Sequence, residues 1–324
     1  SMKKRKITDN IPLKIMSVAI AVVLWLIVVN IDNPTGTNYY TLNDVELINK
    51  EYVESSDTIG KMCMPEQNQD SVKVAITATK KIRDKIKVTD ISAVADLQQA
   101  VSLDTNPVMV PITVTCSVPG VSPSDIKVTP QNLSVNLDEK ETQEFVVNVS
   151  RGDTKPGKDY EVGSLTASPE KVRITGPKTL INKIDKVNAS IELDGNTEDF
   201  TQDVNLTIID KNQEVLTDSE MNSLRIENNA KVTVTVKLWK IHQGVQISAG
   251  YVGTPAEGYQ VGAVRTVPDT ISVAGSAEGL ESLADNNNVI TIPEDSIDIS
   301  GESEDVEKKI SLTDLLPDNV KLTS

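Results

Sequence analysis

The stretch Pro156-Gly157-Lys158-Asp159-Tyr160-Glu161-Val162-Gly163, continued by Pro169, Val172, Ile174 and Gly176, is written twice in this chain. The second copy reads Pro255-Ala256-Glu257-Gly258-Tyr259-Gln260-Val261-Gly262, continued by Pro268, Ile271, Val273 and Gly275. Every pair is offset by 99 residues, and a constant offset over this span marks an internal repeat. A more diverged copy comes earlier. Val74-Ala75-Ile76-Thr77, then Lys80, Ile82, Lys85 and Ile86, parallels Val172-Arg173-Ile174-Thr175, then Lys178, Leu180, Lys183 and Ile184, at offset 98. Ala78 stands where the later copies carry Gly176 and Gly275, so the turn after this strand is expected to form without a freely positive φ.

Each copy has one grammar. An alternating strand (Val172, Ile174) meets a Gly-Pro or Gly-Ser turn, and a short amphipathic helical turn follows (Leu180, Ile181, Ile184). Next come a strand through Val187, Ala189, Ile191 and Leu193, a third through Val204, Leu206 and Ile208, and a closing strand Val232-Thr233-Val234-Thr235-Val236. Period-2 alternation buries one face of each strand only. The expected fold is mainly β, as tandem small domains at 36–138, 139–237 and 238–324. The third has no counterpart of the Lys231–Lys237 strand and reads as truncated.

Upstream of the repeats lies the long apolar run, residues 15–31, behind Lys3, Lys4, Arg5, Lys6 and Lys14. It is long enough to cross a bilayer as one helix. The basic flank, residues 1–14, is expected to stay in the cytoplasm and send the repeats outside. A cleaved signal peptide is the alternative, but bulky residues from Val28 to Ile31 stand where a cleavage site wants small ones. Within the run, Ser17 and Ala21 are spaced i, i+4, the small-residue stripe that lets membrane helices approach closely. Ser17, Ala21, Leu24 and Trp25 are the candidate partner-binding residues.

Composition narrows the function. Residues 1–30 carry five basic residues against Asp9, a surplus of +4, so a chain total of −15 leaves −19 on residues 31–324. Such a surface repels phosphate backbones and anionic headgroups, which excludes nucleic acid as a partner. Aromatics are only 3% of the chain, so the cores must be built from Val, Ile and Leu. For Cys63 and Cys116 a disulfide and two free thiols are both open, and two buried free thiols are the expectation.

Catalytic chemistry has little to work with. His242 is the only histidine and lies beside Trp239 and Lys240, at a repeat junction, where it reads as a linker residue. One histidine with two scattered cysteines supplies no zinc site, and no Gly-rich strand-to-helix loop marks a nucleotide. The acidic run Glu302-Ser303-Glu304-Asp305-Val306-Glu307 lacks the ligand ladder of a calcium loop and reads as a solvated loop. No enzyme, metal or cofactor is expected.

The opening Asn10-Ile-Pro-Leu-Lys14-Ile-Met-Ser17, leading to Leu24-Trp25, resembles the anchor of YbbR-domain proteins. The repeats resemble YbbR repeats in Asp-Tyr-x-Val or Gly-Tyr-x-Val, then Ser-Pro or Val-Pro, then a strand ending in Gly-Pro. The resemblance implies small β-rich domains of figure-eight topology, similar to the C-terminal domain of the ribosomal L25 family. Anchored members with several repeats look like the regulator of the membrane-bound diadenylate cyclase that makes cyclic di-AMP. It therefore implies a non-enzymatic, single-pass membrane regulator whose partners are that cyclase, met through the membrane helix, and the lipid bilayer. The family offers no catalytic residues. The rival reading is a cell-envelope scaffold or wall-polymer-binding protein.

Overall fold

The computed structural model of the protein describes residues 10–65 and 71–323. Lys3, Lys4, Arg5 and Lys6, on which the expected orientation of the apolar run rests, lie outside the described residues. The chain forms two compact units. The first is Ser1–Glu141 with Gly176–Asn182 and Thr217–Leu224, and the second is Thr142–Thr175, Lys183–Leu216 and Arg225–Ser324.

The first unit begins with the helix Ile11–Asp32. Strand Thr35–Leu42 then pairs antiparallel with Val72–Thr79, which carries Ile126–Thr129 on its other edge. A second sheet orders Glu46–Ile48, Ile91–Asp96, Val108–Cys116 and Asn132–Val135, with the first pair parallel and the others antiparallel. Alternation builds the core. Val72, Val74 and Ile76 meet Ile91, Ala93, Ala95, Val108 and Val110, with Val53 and Leu97 buried among them. Both thiols are free. Cys63 is buried, but Cys116 is only half-buried, because it ends its strand where the in-out alternation runs out.

Strand Leu137–Arg151 leaves the first unit beside Lys61–Cys63 and enters the second. There it runs parallel to Ile184–Ile191, pairing Val147 with Val187 and Arg151 with Ile191. The closing strand became something longer than its sequence suggested: Lys231–Ser248 is unbroken over 18 residues. Its first half holds Tyr160–Ser168 on one edge and Phe200–Asn205 on the other, with Val232, Val234, Val236 and Leu238 buried. Its second half pairs with Thr270–Gly275 and, in parallel, with Val289–Thr291. His242 sits opposite Val273 in this strand, so it is a sheet residue and not a linker.

The expected strand through Val204, Leu206 and Ile208 is in fact two. Phe200–Asn205 pairs with Lys231–Val236, whereas Thr207–Asp210 pairs with Ile184–Asn188. The chain changes sheets at Leu206, which is buried and donates its N–H to the Ala230 carbonyl at 2.7 Å.

Two segments at offset 99 take matching local forms. Strands Lys171–Pro177 and Thr270–Gly275 each lead into a helix, Lys178–Lys183 and Ala277–Asp285, and the peptide bonds before Pro169 and Pro268 are both cis. The later copy packs Val245, Val273, Leu283, Ile290 and Val320 into a small core. The reason for the repeat glycine differs from expectation. Neither Gly176 nor Gly275 has positive φ. A Cβ at Gly176 would stand 2.5 Å from Leu224 Cδ2, and one at Gly275 would stand 2.9 Å from Leu280 Cδ2. Glycine is there for close packing, and Ala78 is a buried strand residue where that packing differs.

Candidate functional site

The helix Ile11–Asp32 carries no buried residue. Its sequence explains its form: Pro12 opens the first turn, where a lost N–H costs nothing, and the unbroken apolar or small run of residues 15–29 carries it onward without a glycine. At 1.5 Å per residue it is about 33 Å long, enough for a hydrocarbon core of about 30 Å. Among the described residues it is the one helix long and apolar enough to cross a membrane. Its bounds exceed the expected 15–31 by a turn at the start and a residue at the end, because Ile11-Pro12-Leu13-Lys14 continues the helix into its polar flank.

The four candidate partner-binding residues fall on one face. At 100° per residue, Ser17, Ala21, Leu24 and Trp25 lie within a stripe about 100° wide. Ser17 and Ala21 make a shallow notch; Leu24 and Trp25, the latter 63% exposed, stand beside it. The face therefore joins close-approach geometry to one large amphipathic ring, which is what a second membrane helix would grip.

Sequence reading missed how the helix exit is held. Asn33 Oδ1 accepts the Lys81 N–H at 2.9 Å, and the Pro34 carbonyl accepts the Lys80 N–H at 2.9 Å. Arg83 completes the collar. Its Nε donates to the Ala78 carbonyl at 3.0 Å, Nη1 to Asn38 Oδ1 at 3.1 Å and Nη2 to the Pro34 carbonyl at 3.4 Å. Its guanidinium lies on Gly36, where a Cβ would stand 2.9 Å from Cζ. One signal was available: Arg83 replaces Ile181 of the later copy, a charge where the repeat wants an apolar residue.

Elsewhere the perturbed carboxylates serve the fold. Asp210 is buried. Its Oδ1 accepts the N–H groups of Asn212 at 2.8 Å and Glu214 at 2.9 Å, and Lys183 Nζ lies 3.5 Å from Oδ2. The Glu214 N–H, working against burial, and then the Asn212 N–H and Lys183 hold this carboxyl below the ordinary aspartate range. Burial pushes Asp138 up, but N–H groups of Thr179 and Glu139, with the charge of Lys178, outweigh it and leave that carboxyl lowered. Both close turns or helix starts. Among the described residues no group of three or more His, Cys, Asp or Glu could hold a metal ion.

Fold and site together define a class: a β-rich protein carried behind one exposed apolar helix, with a structured collar where helix meets sheet. Residues 146–236 match the family model described as YbbR-like protein, so the chain carries a YbbR-like domain over that span. It is similar to the CdaA regulatory protein CdaR of Bacillus subtilis (strain 168), at 28% identity over 203 residues, 61% of this chain. The match spans 38% of that protein's length. Two solved structures also align at 17% identity. A YbbR-like protein from Streptococcus pneumoniae TIGR4 gives a TM-score of 0.38 over 64% of this chain and 96% of that one. SuR18C from Streptococcus thermophilus gives 0.23 over 31% and 84%.

Proposed function

We propose that this chain is a non-enzymatic, single-pass membrane regulator that binds and modulates a membrane-bound diadenylate cyclase through its helix, and so sets cyclic di-AMP levels. One observation carries the reading: an entirely exposed apolar helix, notched at Ser17 and Ala21, on a chain similar to a protein named as the regulator of CdaA. The cyclase is what the family resemblance implies for such a regulator. The basic flank favours a cytoplasmic N-terminus, with the repeats outside as three domains at 36–138, 139–237 and 238–324. The sheet change at Leu206, which carries the chain from one sheet of the repeat to the other, supports the figure-eight topology.

In this reading the collar at Arg83 passes strain between the outer β-structure and the helix, and Ser17, Ala21, Leu24 and Trp25 meet the helices of the cyclase. The test is co-purification from detergent of the full chain with the cyclase of its own cell, with cyclic di-AMP measured alongside. A chain with Ser17→Leu and Ala21→Leu keeps its hydropathy but fills the notch. It is expected to lose at least about tenfold in cyclase recovery, the effect of roughly 1.4 kcal/mol of lost packing. Binding unchanged by these substitutions moves the contact to the β-structure. No binding by either chain sinks the regulator reading and leaves the envelope scaffold.

A further inference from the structure

The surplus of acid on residues 31–324 is not evenly spread. Strands Val72–Thr79, Lys171–Pro177 and Thr270–Gly275 each lead into a helix, Lys80–Arg83, Lys178–Lys183 and Ala277–Asp285. In the first copy, Lys80-Lys-Ile-Arg83-Asp-Lys-Ile-Lys87 holds five basic residues against Asp84, a surplus of +4. The counterpart 98 residues on, Lys178–Asp185, holds Lys178 and Lys183 against Asp185, a surplus of +1. The next, 99 residues further, Ala277–Ala284, holds only Glu278 and Glu281 and carries −2. One place in the sequence copies thus runs from cationic to anionic along the chain.

The cationic copy is the one tied to the apolar helix. The Lys81 N–H donates to Asn33 Oδ1 and the Lys80 N–H to the Pro34 carbonyl, both at 2.9 Å. Asn33 is the first residue past the helix end at Asp32, and apolar residues continue to Ile31. When this helix spans a bilayer, Asn33 and Pro34 lie in the headgroup layer, which adds roughly 5–7 Å to each side of the hydrocarbon core. Lys80 and Lys81, one hydrogen bond away, are held at that level.

The side chains are disposed accordingly. Ile86 is buried in the core of the first unit and Ile82 packs against it, which leaves Lys81, Lys85 and Lys87 exposed. Lys80 Nζ is paired with Asp84 Oδ2 at 2.7 Å, and Arg83 is engaged in the collar. Among the described residues, no carboxylate lies within ion-pair distance of Lys81, Lys85 or Lys87. Two further acids stand near: Asp32 ends the helix, and Asp90 Oδ2 accepts the Lys87 N–H at 2.8 Å. With Asp84 they make three acids against five bases, so this corner keeps +2 where the rest of the chain is acidic.

We propose that Lys80–Lys87 docks the first unit on anionic lipid headgroups around the helix exit, with Lys81, Lys85 and Lys87 donating to phosphate oxygens. An ammonium on a flexible stem suits a mobile headgroup layer, which offers charge without fixed geometry. Chain-wide acidity opposes flat adsorption, so contact is confined to this corner. The helix and the lysines then hold the first unit at two points, and the fraction of anionic lipid sets how firmly. The proposal rests on the helix spanning a bilayer, and not on the cyclase.

The test places the full chain in lipid nanodiscs of phosphatidylcholine, alone or with about one-third phosphatidylglycerol, and reads lysine acetylation residue by residue by mass spectrometry. Amines react only when uncharged, and a surface potential of about −30 mV enriches protons about threefold. Lys81, Lys85 and Lys87 are therefore expected to react at least about threefold more slowly in the anionic discs, and about 0.5 M sodium chloride should abolish the difference. Exposed Lys73 lies six residues back along its strand, about 20 Å away and beyond the screening length of about 10 Å at 0.1 M salt, so its rate should hold. In a chain with Lys81→Glu and Lys85→Glu, Lys87 should lose its slowing while the unfolding midpoint stays, because surface changes of this kind barely move stability. Equal rates in both discs, equal slowing at Lys73, or undiminished slowing of Lys87 in that variant would each overturn the proposal alone. Inorganic phosphate giving the same slowing in neutral discs would overturn it too, and would make this corner a free-anion site. A chain that fails to co-elute with either disc would sink the membrane span, and the proposal with it.

Discussion

Arg83 is one residue in a repeat that otherwise has an apolar side chain at that place, Ile181 or Leu280, and it makes three donated bonds on a half-buried side chain. Hydrogen bonds from a charged donor are each worth about 1.5–3 kcal/mol at most, and two of these three meet main-chain carbonyls. Arg83→Ala is therefore expected to destabilise strand Thr35–Leu42 by about 2 kcal/mol, read as faster amide exchange along that strand. Arg83→Lys should recover only part, because a single ammonium cannot reach Pro34, Asn38 and Ala78 in one plane. Exchange rates identical to the unsubstituted chain would remove the collar from any role in coupling helix to sheet. The same scale explains the repeat glycines. Their spacing was legible in the sequence, but their reason was not, because the atom each one avoids belongs to Leu224 or Leu280 and only folding brings it near.

The strand Lys231–Ser248 crosses the boundary expected at 237/238, and it does so through an irregularity. Its register shifts between His242 and Val245, and Gly244 there has φ of 75° with nothing within 4 Å of a would-be Cβ. Space is free, so the cost of a side chain is the backbone conformation alone. Gly244→Val is expected to cost about 1–2 kcal/mol, the left-handed penalty of an L-residue. Gly244→Asn, a residue that tolerates this region, should cost less than half as much. Equal losses for both would show that the bulge is not what limits the strand. Period-2 alternation exposed the valines from Val232 to Val236, and the apolar run exposed the helix, because both patterns are local. The continuation past Trp239 was hidden by the bulge, which breaks the alternation between His242 and Val245. The break at Leu206 was hidden for the opposite reason: Val204, Leu206 and Ile208 keep perfect alternation while the chain changes partners.

Over the whole molecule, charge sets a balance that neither residues nor elements reveal. Residues 31–324 carry −19, while ion pairs such as Lys80–Asp84, Lys171–Glu144, Lys178–Glu139 and Lys237–Asp199 all join half-exposed or exposed side chains. Exposed pairs of this kind contribute about 0–1 kcal/mol each and lose it in salt. Self-repulsion among the surplus carboxylates acts over longer distances and is also lost in salt, as the screening length shrinks from about 10 Å at 0.1 M to about 3 Å at 1 M. The two effects have opposite signs, and the imbalance of charge decides between them: residues 31–324 hold 46 acids against 27 bases, so 19 carboxylates are left over even if every cation takes one, and repulsion outweighs attraction. Raising sodium chloride from low concentration to about 0.5 M is therefore expected to stabilise the full chain in non-ionic detergent. At about 1 kcal/mol the thermal midpoint rises by about 2–4 °C. A midpoint that falls instead would mean that the ion pairs dominate, and that the acidic surface is organised into networks stronger than their exposure implies.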